Sequence, residues 1–279
     1  LEDLEAIFSN QRIDCVIHLA GLKSVESSVK NPHEYFTNNI GGTKNLINTM
    51  IKFNCKSIIF SSSATVYSSS EKMPLTEDSQ ILPNNPYGEN KKYIEDLIKD
   101  LFNSDNSWQI AILRFFNPIG AHSSAEIGEL PLGVPQNLVP FITQTAIGLR
   151  KELTVFGNDY PTSDGSCLRD YIHVMDLAKA HIKSLYKLIN NEDKSYYDTF
   201  NIGTGKGTSV LELIKCFENV TENKLNFKIG DRREGDVAEC FADVSKANKI
   251  LNWKSELSIK DSLLSSWNWE KNINNEKLQ

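Results

Sequence analysis

Apolar residues recur along this chain in two periods, and the alternation between them predicts its elements. Lys56-Ser57-Ile58-Ile59-Phe60 is a short apolar run between small polar residues, the pattern of a strand buried in a parallel sheet. Cys15-Val16-Ile17-His18-Leu19-Ala20, closing on Gly21, and residues 108–116 read the same way. Helical spacing takes over in 3–10, with Leu4, Ile7 and Phe8 on one face, and in 31–53 through Tyr35, Ile40, Leu46, Met50 and Ile51. It returns from Tyr87 to about Asn103, where Ile94, Leu97, Ile98, Leu101 and Phe102 make one stripe. Strands alternating with helices predict an α/β fold on a parallel sheet. Beyond residue 117 Gly, Pro and Asn become frequent, as in a loop-rich lobe grafted onto a sheet. There 153–157 reads as a short strand, 174–188 as a helix returning to the main sheet, and 210–220 as another helix. Trp253, Trp267 and Trp269 read as packing in the last helical segment, with a frayed Lys/Asn-rich tail behind them.

Composition narrows the class. At 279 residues the chain is long enough for a real core in one large or two modest domains. A net charge of −6 and a pI near 5.5 argue against a nucleic-acid or anionic-membrane surface. No apolar run is long enough to span a bilayer. Five scattered cysteines suit reduced thiols in the cytoplasm better than a disulfide framework, and neither they nor the five histidines have metal-ligand spacing.

Candidate chemistry gathers after the 56–60 run. Ser61-Ser62-Ser63 put hydroxyls at the mouth of the sheet, where open α/β folds bind ligands. Tyr87 and Lys91 stand four apart at the start of a helix and therefore share a face. A phenol holds its proton to about pH 10; a neighbouring ammonium, together with a cationic cofactor ring, would favour the phenolate and make Tyr87 a usable base. Asn201-Ile202-Gly203-Thr204-Gly205-Lys206-Gly207 follows a strand and opens a helix, but its spacing fits neither a dinucleotide fingerprint nor a P-loop. It reads as a turn and helix cap.

The order strand, serines, then Tyr-x-x-x-Lys at a helix start resembles the extended short-chain dehydrogenase/reductases. The wording Phe60-Ser61-Ser62-Ser63-Ala64-Thr65-Val66-Tyr67 is similar to that of the UDP-galactose 4-epimerases, with the likeness running from about Ile13 to about Trp269. The resemblance implies a Rossmann-type doubly wound parallel sheet with a smaller α/β substrate-binding lobe. It divides the chain into a partial NAD-binding domain at 1–117, to which 170–202 returns, and a mainly substrate-binding lobe at 118–279. A glycine-rich strand–turn–helix is not found ahead of Cys15, so the chain reads as a fragment lacking its first strand–helix units.

The implied activity is interconversion of UDP-galactose and UDP-glucose at sugar carbon 4, with NAD as cofactor, in a cytoplasmic homodimer. Tyr87, Lys91 and Ser63 would be catalytic. Leu19, Ala20, Gly21, Leu22, Lys23, Asn38 and Phe116 would join them on NAD. Asn117, Asn137, Leu138, Thr154, Val155, Phe156, Arg169, Arg233, Asp236 and Cys240 would hold the UDP-hexose. Plainer roles stand beside several of these: a strand-to-loop turn for Gly21 and Lys23, a solvated side chain for Asn38, and a helix cap for Asn137. Arg169 could instead pair with Asp170 or Asp176, and Arg232-Arg233-Glu234-Gly235-Asp236 could be surface charge. The outer faces of 31–53 and of the Tyr87 helix could dimerise or merely cover the sheet. Some relatives carry tyrosine at the Cys240 position, so a cysteine predicts room for an N-acetyl group, hence UDP-GlcNAc and UDP-GalNAc. The alternatives are another nucleotide-sugar epimerase or dehydratase, an ordinary reductase, or an inactive nucleotide-sensing relative. A dehydratase would need acids beside Ser63, and Ala64-Thr65 supply none.

Overall fold

A computed structural model describes residues 1–69, 71–233 and 235–276. Its centre is a four-stranded, all-parallel sheet of β1 (Val16–His18), β2 (Ser57–Ser63), β3 (Gln109–Phe115) and β8 (Tyr196–Ile202), in the order β1-β2-β3-β8. The continuous apolar runs are explained by burial on both faces. Ile58, Phe60, Ile110 and Ile112 point one way, into a core with α4 (Gly42–Lys52) and α5 (Pro86–Ser104). Ile59, Ala111 and Leu113 point the other way, onto α7 (Val174–Ile189) and α9 (Ser245–Leu251). On α1 (Glu2–Asn10), Leu4 and Phe8 join the first core, whereas Ile7 of the expected stripe is exposed.

Between β1 and α4 the chain runs through α2 (Val25–Lys30), α3 (Pro32–Tyr35) and a π-helical turn at Phe36–Gly41. The long helix expected over 31–53 thus carries one widened turn, while Tyr35, Asn39 and Thr43 stay on its buried face. The serines extend β2 rather than ending it, and Ser61 and Ser62 are buried.

The second lobe surrounds its own core of Ile119, Val139, Ile142, Leu153, Val155, Leu213, Phe217, Leu263 and Trp267. It comprises β4 (Asn117–Ile119) paired with β7 (Tyr171–His173), and β5 (Leu153–Phe156) paired with β10 (Phe227–Gly230). A third small sheet sets β6 (Leu168–Arg169) between β9 (Thr208–Ser209) and β11 (Glu239–Cys240). Helices α6 (Leu138–Ala146), α8 (Val210–Thr221) and α10 (Ile259–Glu276) cover these sheets. Trp253 lies ahead of the last helix and packs beneath the main sheet with Ala247 and Leu251. The tail stays helical through Glu276, with Asn272 donating to Ala125 O, so fraying does not begin at Trp269. Lys277, Leu278 and Gln279 lie outside the described residues, as does Glu234 of the double-arginine motif.

Candidate active site

The candidate catalytic trio is assembled by one strand end and one helix start. Ser63 closes β2, and its Oγ accepts from Thr65 N at 3.2 Å and from Thr65 Oγ1 at 3.0 Å. Two accepted bonds leave the hydroxyl hydrogen free to be donated, and the Tyr87 phenol, whose pKa Ser63 lowers, is placed to receive it. Helix α5 starts with Asn85 accepting from Gly88 N at 2.9 Å and with Pro86 in its first turn. Gly88 is what permits the approach. A Cβ there would sit 2.5 Å from Thr65 O and 2.9 Å from Pro83 Cβ. Gly88→Ala should therefore push Tyr87 away from Ser63 and lower kcat by about 100-fold, because ångström-scale misplacement of a reacting group has that scale of effect. Parallel kcat and Tm measurements check this; an alanine variant with full turnover would show that the contact does not set the geometry.

Lys91 is buried, with Nζ 5.7 Å from the Tyr87 ring centre, 4.8 Å from that of Phe60, and donating to Ser61 O at 2.7 Å. Burial lowers its pKa to about 8, opposed by the Glu95 carboxylate. The protein's own groups alone do not lower the Tyr87 pKa, the expectation having joined the ammonium to a cationic cofactor ring. Burial pushes that phenol up to about 12, the Ser63 hydrogen bond opposing. The ammonium rests on a main-chain carbonyl instead of on the phenol oxygen, and desolvation outweighs it.

The residues around the trio fit a dinucleotide. Leu19, at the tip of edge strand β1, is 62% exposed although aliphatic. Leu22 behind it is held at both main-chain groups by Asn39, Oδ1 accepting from Leu22 N at 2.7 Å and Nδ2 donating to Leu22 O at 3.0 Å. Asn39 is thus the buried clamp, while Asn38 faces solvent. Lys91 donates one hydrogen bond among the described residues, leaving ammonium hydrogens for a diol such as ribose. Lys23 meets Glu129 at 2.7 Å, and the same carboxylate oxygen accepts from Asn137 at 2.6 Å. Asn137 precedes α6 without capping it through its side chain.

Across the cleft Phe116 is buried among Val66, Tyr67, Leu75 and Ala242, with Cys240 packed on that cluster. Asn117 is tied by its N–H to Asp170 O. Arg169 pairs with Asp236 at 3.2 Å and donates to Leu168 O and Val237 O. It therefore pairs with neither Asp170 nor Asp176, because β6 lies beside β11 with Arg169 opposite Cys240. Arg233 lies 4.0 Å over the Phe156 ring. Arg232 is occupied by Asp159 and the Tyr160 ring. Val155 turns its side chain into the lobe core, leaving only main chain for a ligand, while Thr154, Phe156 and Leu138 are half-buried.

Asp170, which the sequence did not single out, explains the glycine-rich loop. Its buried carboxylate accepts from Thr204 N at 2.7 Å, Thr204 Oγ1 at 2.6 Å, Gly205 N at 3.0 Å and Ala242 N at 3.2 Å. The loop thus cradles an internal carboxylate, and Ser209 with Glu212 forms a capping box at the start of α8. A cavity of about 430 Å³ opens at the other end of the main sheet, lined by residues such as Arg12, Asp14 and Lys56. It is remote from the trio and from the strand ends where open sheets bind ligands. No group of three or more His, Cys, Asp or Glu is arranged around a metal site among the described residues.

The family described as GDP-mannose 4,6 dehydratase matches residues 1–265. The chain is 47% identical over 277 residues to a UDP-glucose 4-epimerase of Bacillus subtilis, covering 99% of this chain and 81% of that one. It is 48% identical over 271 residues to a bifunctional UDP-glucose and UDP-xylose 4-epimerase of Pisum sativum, covering 97% and 77%. A UDP-glucose 4-epimerase structure from Stenotrophomonas maltophila, with bound NAD and formylated UDP-arabinopyranose, superposes with a TM-score of 0.95 at 44% identity, covering 99% and 81%. One from Bifidobacterium longum, with NAD⁺ and UDP, gives 0.91 at 47%, covering 98% and 80%.

Proposed function

This chain belongs to the UDP-glucose 4-epimerases of the extended short-chain dehydrogenase/reductase family, and from that premise we propose that it interconverts UDP-galactose and UDP-glucose with NAD as resident cofactor. The observation that carries the reading is the convergence of Ser63, Tyr87 and Lys91 beside a lobe holding Phe156, Arg169 and Arg233. When bound, NAD supplies the hydride acceptor and donor at carbon 4 that side chains lack.

The protein's own groups do the rest. Tyr87 takes the proton of the sugar 4-hydroxyl and returns it to the 4-oxygen after the sugar has turned its other face. Ser63 donates to that oxygen and to the phenol in turn. Lys91 holds the nicotinamide ribose and supplies positive potential next to the phenol. Leu19 to Lys23, Asn38 and Phe116 are the further cofactor contacts. Phe156 offers a face to the uracil and Arg169 and Arg233 offer guanidinium forks to the diphosphate. Asn117, Asn137, Leu138 and the main chain of Thr154 and Val155 complete the seat, with Asp236 on the ribose. Because carbon 4 gives up a hydride and regains it within the same cycle, UDP-galactose should be consumed without stoichiometric NADH appearing. Net NADH accumulation would identify an ordinary dehydrogenase instead.

The packing of Cys240 on the Phe116 cluster, which also takes in Ala64 and Val66 just beyond Ser63, supports a sugar pocket with space beside carbon 2. UDP-GlcNAc and UDP-GalNAc are then substrates too. Cys240→Tyr should lower kcat/KM for UDP-GlcNAc at least tenfold while sparing UDP-galactose, equal losses on both sugars being the contrary outcome. A homodimer is supported by Phe36 and Tyr93, aromatic rings 6.4 Å apart and each about half exposed on the outer faces of two neighbouring helices. Reduced cysteines and a nucleotide-sugar substrate support a cytoplasmic enzyme. No helix among the described residues is long and apolar enough to cross a membrane.

A further inference from the structure

Tyr87, Lys91 and Glu95 follow one another at four-residue steps, so the inner face of α5 carries a carboxylate one turn beyond the lysine. That carboxylate is buried with Arg114, their side chains being 8% and 7% exposed. The guanidinium grips it with two prongs, Nε to Oε1 at 3.0 Å and Nη2 to Oε2 at 2.6 Å. Ser62 Oγ donates to the same Oε1 at 2.5 Å, and Ser62 lies directly opposite Arg114 across β2 and β3. Glu95 therefore ties the helix of Tyr87 and Lys91 to the strand residue immediately before Ser63. Arg114 Nη1 extends the tie to the Tyr67 hydroxyl and to Glu77 O, both at 3.0 Å, and Tyr67 donates onward to Asn201 Oδ1 at 2.6 Å. The segment leaving Ser63 is thus held from below.

Buried ion pairs add little net stability compared with apolar residues of the same volume. We propose that Glu95, clasped by Arg114, is a positioning residue of the active site, fixing Tyr87 and Lys91 against Ser63 and facing the buried ammonium with the opposite charge. The proposal rests on the catalytic reading of Tyr87 and Lys91. Charged and titratable groups around the pair are few. Lys91 faces His18 from β1, the Tyr87 and Phe60 rings and the Ser61 carbonyl; Glu95 faces Arg114, Tyr67 and, from β8, Tyr197. His18 is pushed down to about 4 by burial and by Lys91, so it is neutral at physiological pH and adds no competing charge. Burial lowers Lys91 and Glu95 opposes this, so loss of the carboxylate charge lets the lysine shed its proton at lower pH.

Four variants test this by kcat, KM, Tm and the pH dependence of turnover. In Glu95→Gln, kcat should fall with little change in KM, and the alkaline limb should move down by roughly one unit. Glu95→Asp keeps the charge but shortens the reach, so its limb should stay at the wild-type position while kcat falls. Glu95→Leu with Arg114→Met removes both charges; Tm should recover towards wild type, yet kcat should stay low and the limb displaced. A double variant with wild-type kcat and limb would overturn the proposal and leave the pair as packing. If Glu95→Gln does not fold, the double variant decides alone. Tyr87→Phe is the control: turnover retained in that variant would refute the catalytic reading rather than the role of Glu95.

Discussion

Replacing Tyr87 by phenylalanine should leave the fold intact and reduce kcat by about 10²- to 10⁴-fold, the range over which a positioned proton-transfer group acts. The substitution removes one oxygen. Phenylalanine fits the same space at the start of α5, and Asn85 still caps the helix through Gly88. With the phenol oxygen goes the stabilisation that Ser63 gives the phenolate, while Thr65 still occupies Ser63 Oγ. Stability should therefore change by no more than about 1 kcal/mol. KM should hold, since the proposed uridine and diphosphate contacts lie in the other lobe. Thermal melts and steady-state kinetics on the same preparation check both halves, and a phenylalanine variant with wild-type kcat would remove Tyr87 from proton transfer.

Asp170→Ala should have the largest effect on stability, a loss of about 3–5 kcal/mol, a large share of the 5–15 kcal/mol that holds an ordinary domain. The carboxylate is fully buried and is the acceptor for three main-chain N–H groups and one hydroxyl. An alanine leaves those donors dry and unpaired, each at a cost of about 1–3 kcal/mol before relaxation. Gly203 belongs to the same arrangement, because a Cβ there would meet Asp170 Oδ2. Gly203→Ala should weaken the fold in the same direction by forcing the carboxylate out of its cradle. The proposed substrate seat should loosen too, since Arg169 precedes Asp170 in the chain and Asn117 N–H rests on Asp170 O. Urea titrations measure the loss; a midpoint for Asp170→Ala close to wild type would show that water replaces the carboxylate without cost.

Local spacing made part of the site legible in advance. Ser63 at a strand end, and Tyr87 four residues before Lys91, depend on neighbours in sequence, and alternation of Ile58, Ile59 and Phe60 depends only on the period of a strand. Partnerships across long stretches of chain depend on register, which periodicity does not contain. Arg169 could not be assigned to Asp236 until β6 was seen beside β11. The cradle of Asp170 needs residues 204, 205 and 242 around one side chain. Asn39 rather than Asn38 turns inward because it lies four residues after the buried Tyr35 and four before the buried Thr43, a stripe legible in the spacing itself. Glu95 did leave a signal, four residues after Lys91, but a carboxylate at that spacing in a helix is commonly a surface ion pair. Among the protein's own groups the acidity of Tyr87 turns on desolvation, with Ser63 opposing it, and spacing along the chain does not reveal burial.

The most direct test of the account is to give the full-length protein UDP-galactose and NAD⁺ and to resolve the nucleotide sugars by chromatography over time. The account predicts UDP-glucose rising towards the same equilibrium mixture that is reached from UDP-glucose, with Tyr87→Phe inert alongside. A folded protein that binds UDP and NAD⁺ yet leaves UDP-galactose unchanged would contradict it.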